Sequence, residues 1–259
     1  MSSLSLIRHG QAKFFQAEEG VLSPLGEKQA ARLAHFWLKH RIRFDEVHTG
    51  SLVRHLQTER VVAECFRRAG EPWPAAAQDP AWNEYDFPGV LTHLVPGDSR
   101  LAALAEEFAQ ARGGPQENRK FHRVLKAAMT CWLDENCEVA GVEPWPAFRD
   151  RLSGAIRRLM AGPPGRRVVV FTSGGPIGFS VHFALQAPPQ SFLELNWRVR
   201  NGSMTEFIFD RDRFALDAFN VTNRVNYVTF VGDLASPFFG QAVAAKPPRR
   251  LQLSARFNF

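Results

Sequence analysis

Hydrophobic positions in the first quarter of the chain predict two strands, each followed by a helix. The apolar run at residues 5–7 leads into Arg8-His9-Gly10, which indicates a buried strand ended by a glycine. A second short strand is expected at 44–48, and residues 52–68 have the pattern of a helix. The first helix is predicted after the turn at 22–26, where apolar residues recur at helical spacing: Ala30, Leu33, Ala34, Trp37 and Leu38.

The rest of the chain continues this pattern after an irregular segment. Residues 71–90 are rich in proline and aromatic residues and predict a loop, whereas 99–161 predicts three helices. Val168-Val169-Val170-Phe171 is the clearest buried strand, and it ends in a glycine-rich turn. Residues 203–209 and 213–219 alternate and predict a hairpin at a sheet edge.

This order of elements predicts an α/β fold. We expect a three-layer sandwich with a mostly parallel central sheet and helices on both faces. Residues 1–235 would form this domain, with a mainly helical insertion at 85–161 that shapes the substrate pocket. Residues 236–259 would form a basic, proline-containing C-terminal tail.

Composition supports a globular protein in a reducing compartment. Apolar residues make up 45% of the chain and charged residues 22%, which excludes wholesale disorder. The longest apolar runs are about five residues, against the roughly 20 that a membrane helix needs. The N-terminus lacks a basic segment followed by an apolar stretch, so we expect no signal peptide. Cys65, Cys131 and Cys137 are unclustered and predict neither a metal site nor a disulfide framework, so we expect a cytoplasmic protein.

The positive charge is concentrated at the C-terminal end. The formal net charge is +6, and residues 234–259 carry four bases and no acid. A basic tail argues against nucleic-acid binding, which normally uses a basic face on the folded body. Because Pro247 and Pro248 lie beside three bases, we expect a mobile arm, with a strand docked on a neighbour as the alternative.

Candidate chemistry collects at the carboxyl ends of the predicted strands, where α/β sheets bind ligands. These ends hold Arg8-His9-Gly10, Thr49-Gly50-Ser51 and Thr172-Ser173-Gly174-Gly175. An arginine offers a planar fork for phosphate oxygens, and a neutral histidine can attack phosphorus. Taken alone, the tripeptide is also compatible with a structural histidine at a strand end.

Two further charged residues have a functional and an ordinary interpretation. Arg54 opens a predicted helix after a strand, where helix N-termini favour anions, or it is a solvated surface arginine. Glu84 lies in an aromatic loop, where desolvation could raise its pKa and make it a general acid. The alternative is an ordinary loop carboxylate.

Together and in this order, the segments resemble the histidine phosphatase superfamily, also called the phosphoglycerate mutase-like family. The resemblance covers about residues 3–230. The segments that carry it are Leu6-Ile7-Arg8-His9-Gly10, Leu22-Ser23-Pro24-Leu25-Gly26 with Gln29-Ala30, Ser51 with Arg54, Gln57 and Thr58, Asn83-Glu84-Tyr85-Asp86-Phe87-Pro88-Gly89, residues 168–177, residues 201–205 and Phe219-Asn220.

The resemblance implies a phosphohistidine mechanism. His9 would attack phosphorus, and Arg8 and Arg54 would bind the phosphoryl oxygens. Glu84 would protonate the leaving oxygen and then activate water. No metal or other cofactor is implied, because the arginines supply the positive charge.

One residue departs from the family pattern. The family has a second histidine just before the paired glycines, and this chain has Ser173. Replacing a charge-assisted bond by a neutral one should slow the chemistry roughly 5–30-fold. We expect the Ser173 hydroxyl to face the phosphate, with the Gly174 and Gly175 amides open to the same anion. His182 is nine residues further on, too far along a helix to substitute.

The sequence therefore predicts a phosphatase that hydrolyses small phosphomonoesters through a phosphohistidine on His9. One alternative is a weak or inactive relative that binds a phosphorylated ligand or partner, and another is a mutase. Tyr85, Phe87, Trp132 and Trp145 are expected to form core rather than pocket.

Overall fold

The structure is a computed structural model that describes residues 1–13, 20–135, 137, 140–219, 227–230, 242–245 and 250–256. Seven strands form the main sheet, in the order β3-β2-β4-β1-β5-β6-β9, and β7 pairs with β8 separately. The strands are β1 Ser2–Arg8, β2 Glu46–Thr49, β3 Ala76–Gln78, β4 Arg167–Thr172, β5 Met204–Phe209, β6 Arg213–Phe219, β7 Tyr227–Phe230, β8 Ala242–Ala245 and β9 Arg250–Arg256.

Eight α-helices connect or flank these strands in the described part of the chain. They are α1 Pro24–Lys39, α2 Val53–Arg68, α3 Phe87–Gly97, α4 Ser99–Gln110, α5 Glu117–Trp132, α6 Trp145–Met160, α7 Gly174–Leu185 and α8 Gln190–Asn196. Helix α1 begins where the Ser23 hydroxyl accepts a hydrogen bond from the Gly26 amide, with Pro24 at its first position. Four consecutive helices, α3 to α6, form the segment between β3 and β4.

The sheet has a parallel half and an antiparallel half. Strands β3, β2, β4 and β1 are parallel, and β5, β6 and β9 continue the sheet with antiparallel pairing. In the parallel half, Arg8 lies opposite Thr172 and Thr49 lies opposite Phe171. This register brings the ends of β1, β2 and β4 to one edge. The α/β prediction is confirmed, and the sheet is mixed.

Strand alternation separates two hydrophobic cores, one on each face of the sheet. On one face, Ile7 and Phe171 pack with Trp37 of α1 and Phe66 of α2. The opposite face of β1 and β4 joins the larger core, which contains Leu4, Leu6, Val168 and Val170 from the strands and Phe148, Leu152, Ile177, Phe179 and Phe192 from the helices. Neighbouring residues of one strand thus belong to opposite layers, which confirms the three-layer arrangement.

Several sequence expectations need revision. The segment 71–90 contains strand β3, a 3₁₀ turn at Pro80–Trp82 and the start of α3. The hairpin of β5 and β6 is present, but β6 is not at the edge of the sheet, because β9 pairs with it. Residues 250–256 are thus a strand of the main sheet and not a mobile arm, since the alternating pattern there lets the backbone pair along all of β6.

The aromatic residues of the helical segment belong to the core, as expected. Trp132 and Trp145 are fully buried, Tyr85 is nearly so, and all three lie in the larger core. Phe87 packs against that core from its border. Among the described residues, no helix combines the length and the apolar character needed to cross a bilayer.

Candidate active site

His9 follows the last residue of β1 and is held in one tautomer. Its ring Nδ1 lies 2.7 Å from the carbonyl oxygen of Gly10. A carbonyl can only accept, so Nδ1 carries the proton and donates it to Gly10. The lone pair is therefore on Nε2, on the far side of the ring. His9 is 3% exposed, and Nε2 is its unprotonated ring nitrogen.

The turn that carries His9 is fixed by side chains of other segments. The Gly10 amide donates to the Thr58 hydroxyl at 3.1 Å, and that hydroxyl donates to the Arg54 carbonyl at 2.6 Å. From the other side, the Asn201 side-chain amide donates to the His9 carbonyl at 3.1 Å. The motif residues Thr58 and Asn201 therefore hold the backbone on which the histidine stands.

The surroundings of His9 keep its imidazole neutral. Burial, assisted by the positive charges of Arg54 and Arg8, lowers the pKa of His9 to about 3. A histidine with this pKa is unprotonated at neutral pH, which is the form a nucleophile needs.

Arg8 and Arg54 lie close to His9 and belong to two different elements. Arg8 is the last residue of β1, and its Nη1 donates to the carbonyl of Val199. Arg54 lies in the first turn of α2. Both guanidinium groups are close enough to His9 and to Glu84 to shift the pKa values of those groups. The structure thus brings Arg8, His9, Arg54 and Glu84 together.

Glu84 is held at the start of the helical segment. Its Oε2 accepts from the Gly175 amide at 3.0 Å, and its Oε1 accepts from the Tyr85 amide at 3.3 Å. Desolvation raises the pKa of Glu84, and this effect outweighs the opposing influence of the Gly175 amide and of the two arginines. A carboxyl group with a raised pKa keeps its proton more readily, as a general acid must.

The loop that presents Glu84 is anchored by its neighbours. The Ser51 amide donates to the side-chain oxygen of Asn83 at 2.7 Å, and Arg151 donates to the carbonyls of Ala81 and Asn83. Gly175 leaves room for the carboxylate, because a Cβ there would lie 1.9 Å from Glu84 Oε1. The position of Glu84 therefore depends on both β2 and α7.

Ser173 lies between β4 and α7 and is 1% exposed. Its hydroxyl oxygen is 2.6 Å from Nε2 of His55, a fully buried histidine of α2. The His55 ring is 5.7 Å from the His9 ring, centroid to centroid. Ser173 is thus joined to the cluster through a residue that the sequence reasoning missed. Nothing in the helical pattern distinguishes His55 from a core histidine.

The structure also shows the surroundings of the Gly175 amide and of His182. The Gly175 amide is not open to an anion, because the Glu84 carboxylate occupies it. His182 lies among aromatic rings, 5.7 Å from Phe179 and 6.3 Å from Trp145 between ring centroids, on a distant turn of α7. Within the described ranges, no group of three or more His, Cys, Asp or Glu side chains could hold a metal ion.

A strand-end histidine flanked by two arginines and a protonatable carboxyl group defines a phosphoryl-transfer type of site. The model of the histidine phosphatase superfamily (branch 1) matches residues 4–222. The chain belongs to this superfamily.

Solved structures with the same fold are distant in sequence. A phosphoserine phosphatase from Entamoeba histolytica, solved with phosphoserine, is 19% identical with a TM-score of 0.57, and the match covers 86% of this chain and 98% of that one. A mycobacterial glucosyl-3-phosphoglycerate phosphatase is 20% identical, with a TM-score of 0.51 and coverage of 80% and 89%. A phosphoglycerate mutase from Bacillus anthracis is 16% identical, with a TM-score of 0.53 and coverage of 81% and 88%. No curated protein matches the chain.

Proposed function

We propose that the protein is a phosphatase that hydrolyses small phosphomonoesters through a phosphohistidine on His9. One observation carries this proposal: the Nδ1–H···O=C bond to Gly10 directs the lone pair of a neutral His9 away from the backbone, beside two arginines. Two positively charged neighbours raise the cost of protonating His9, and a purely structural histidine would not need them.

The first step transfers the phosphoryl group to the enzyme. Nε2 of His9 forms a bond to phosphorus while the bond from phosphorus to the ester oxygen breaks. The Glu84 carboxyl group gives its proton to that oxygen, so the alcohol leaves neutral. Arg8 and Arg54 stabilise the negative charge on the three remaining oxygens. The products of this step are phosphohistidine, the alcohol and a Glu84 carboxylate.

The second step returns the enzyme to its starting state. The Glu84 carboxylate takes a proton from a water molecule as the water oxygen attacks phosphorus. The bond between phosphorus and Nε2 breaks, and inorganic phosphate leaves. Glu84 is again protonated and His9 again neutral, so protons balance over the cycle.

The substrate screen should begin with small phosphorylated acids, since the structural relatives include proteins named for phosphoserine, phosphoglycerate and glucosyl-3-phosphoglycerate. We infer that the insertion at 85–161 shapes the pocket for the organic part. Its first residue, Tyr85, follows Glu84 directly and is fixed in the core, where its hydroxyl accepts from the Asn196 side chain at 2.9 Å and ties the start of the insertion to α8.

The experiment is phosphate release from an aryl phosphate and from this metabolite set by wild type, His9→Ala and His35→Ala. His35 is an exposed histidine of α1 and serves as the matched control. We expect His9→Ala to lose about a thousandfold or more of kcat, as is usual for a removed nucleophile, and His35→Ala to be unchanged. Acid quenching should trap an acid-labile, base-stable phosphate on His9. Equal turnover by His9→Ala, or a label on a serine, would refute the mechanism.

A second candidate is a binding protein with little or no turnover, and Ser173 is the observation that favours it. A neutral serine stands where the family has a histidine. In that case wild type and His9→Ala would bind phosphate esters equally and release no phosphate.

A mutase would instead show phosphohistidine that is stable to water and is transferred to a second hydroxyl.

A further inference from the structure

His55 makes a buried contact that ordinary helix packing does not explain. It lies in the first turn of α2 and is fully buried, and its Nε2 is 2.6 Å from Ser173 Oγ. The two residues are 118 positions apart in the sequence. A buried imidazole is costly unless it is hydrogen-bonded, so this one contact accounts for how the ring is tolerated there.

The surrounding backbone is built to accommodate the ring. A Cβ at Gly50 would lie 2.3 Å from His55 Nδ1, so the glycine at the end of β2 provides the space for the imidazole. Ser173 does not make the hydrogen bond that a serine at a helix N-cap usually makes. It precedes α7 as the N-cap residue, yet its side chain makes no capping bond there, and its hydroxyl is in contact with His55.

The direction of the hydrogen bond follows from the other ring nitrogen. Nδ1 of His55 is buried and has no hydrogen-bond partner among the described residues. A buried N–H without a partner is rarer in proteins than an unused acceptor, so the proton belongs on Nε2. Nε2–H therefore donates to Ser173 Oγ. The serine hydroxyl hydrogen is then free to point elsewhere, and the His9 ring is a close neighbour, 5.7 Å from the His55 ring between centroids.

We propose that His55 is a positioning residue that acts through Ser173: it holds the serine oxygen so that its hydroxyl donates to a phosphoryl oxygen. The pair would thus replace one direct imidazole contact by a relay of two residues. This inference rests on the proposed function, since it needs a phosphoryl group beside His9. It also implies that the change at position 173 is accompanied by a compensating histidine in α2, and is not a simple loss.

A double-mutant cycle tests the relay. Kinetics are measured for Ser173→Ala, His55→Leu and the double variant with the best substrate of the screen. If His55 acts only through Ser173, each single variant should lose about 5–10-fold in kcat, the effect expected for one neutral hydrogen bond. The double variant should then be no worse than Ser173→Ala. Losses that multiply in the double variant would overturn the inference.

His55→Gln separates positioning from packing. Its side-chain amide can place an N–H near the position of Nε2, whereas leucine fills space without a donor. We expect His55→Gln to retain activity within about twofold of wild type while His55→Leu does not, with KM unchanged in both. If glutamine and leucine are equally damaging, the imidazole is structural and the inference fails. Thermal melting identifies any variant that does not fold, and the glutamine variant then carries the test.

Failure of this inference and failure of the proposed function give different results. No trapped phosphate on His9 in the wild-type protein would refute the proposed function. A trapped phosphate on His9 in wild type, together with multiplicative losses in the cycle, would refute the role of His55 alone.

Discussion

The carboxyl ends of β1 and β4 are neighbours in the sheet, with Arg8 opposite Thr172, but they build the site differently. At β1, three consecutive residues supply a guanidinium, an imidazole and a carbonyl that fixes the tautomer. At β4, Ser173 makes its side-chain contact with His55 of another element. Chemistry that is local in sequence can be recognised as a motif. Chemistry shared between distant residues is visible only once the fold brings them together.

The glycines at the two strand ends should differ most in their tolerance of a side chain. A Cβ at Gly10 would lie 2.4 Å from the Gly26 carbonyl oxygen and 2.9 Å from its Cα, both backbone atoms. A Cβ at Gly174 would lie 2.4 Å from Asn196 Oδ1, a side-chain atom, and 3.2 Å from the Asn196 carbonyl oxygen. We expect Gly10→Ala to cost about 3 kcal/mol of the free energy of unfolding.

For Gly174→Ala we expect a smaller cost of about 2 kcal/mol, because rotation of the Asn196 side chain relieves the clash but breaks its hydrogen bond to the Tyr85 hydroxyl. Urea unfolding at pH 7.5 measures both variants against wild type. Equal losses would mean that the turn after β4 is as rigid as the turn after β1, and the contrast between the two strand ends would fail.

Arg54→Lys tests whether Arg54, at the start of α2, binds phosphate through two hydrogen bonds beside His9. Lysine keeps the charge but loses the planar fork. We expect kcat/KM to fall about 100-fold with little change in melting temperature. Arg60→Lys, an exposed position of the same helix, is the matched control. An unchanged kcat/KM in Arg54→Lys would place this residue outside the phosphate site.

The parallel half of the fold could be predicted from the sequence for a physical reason. Strands β1 and β4 are short with apolar runs, α1 and α2 have one apolar face, and glycine or proline follows α2 and each parallel strand within two residues, so local patterns determine most of these elements. Arg8, His9, Arg54 and Glu84 were recognisable because each lies in a short motif. The structure brings these four together, and their catalytic roles stay predictions.

What could not be predicted depends on long-range pairing. In the sequence, strand β9 shows only weak alternation, because its partner β6 is separated from it by thirty residues, 220–249. His55 was missed for a similar reason. A histidine in a helix has the same local pattern whether it faces solvent, packs in a core or reaches the end of another strand. Only the register of β2 against β4 places α2 over Ser173.

The last test measures how His55, the partner of Ser173, makes stability depend on pH. Burial, assisted by the neighbouring His9 and by the positive charge of Arg54, lowers the pKa of His55 well below 6.5. Between 6.5 and that lower pKa, the unfolded chain binds a proton at His55 that the native protein does not, so this residue makes stability fall as the pH falls. His9 acts in the same sense, and the raised pKa of Glu84 acts in the opposite sense.

His55→Gln removes only the contribution of His55, because His9, Arg54 and Glu84 are retained. Whatever the variant costs at pH 7.5, that cost should shrink at pH 5, by at most about 2 kcal/mol, since one histidine contributes at most about 1.4 kcal/mol per pH unit below 6.5. Urea unfolding at the two pH values measures this difference, and His35→Gln controls for the loss of an exposed histidine. A pH-independent cost would show that His55 titrates alike in the native and unfolded chains. The imidazole would then be accessible to water, and the buried contact with Ser173 would not describe the protein in solution.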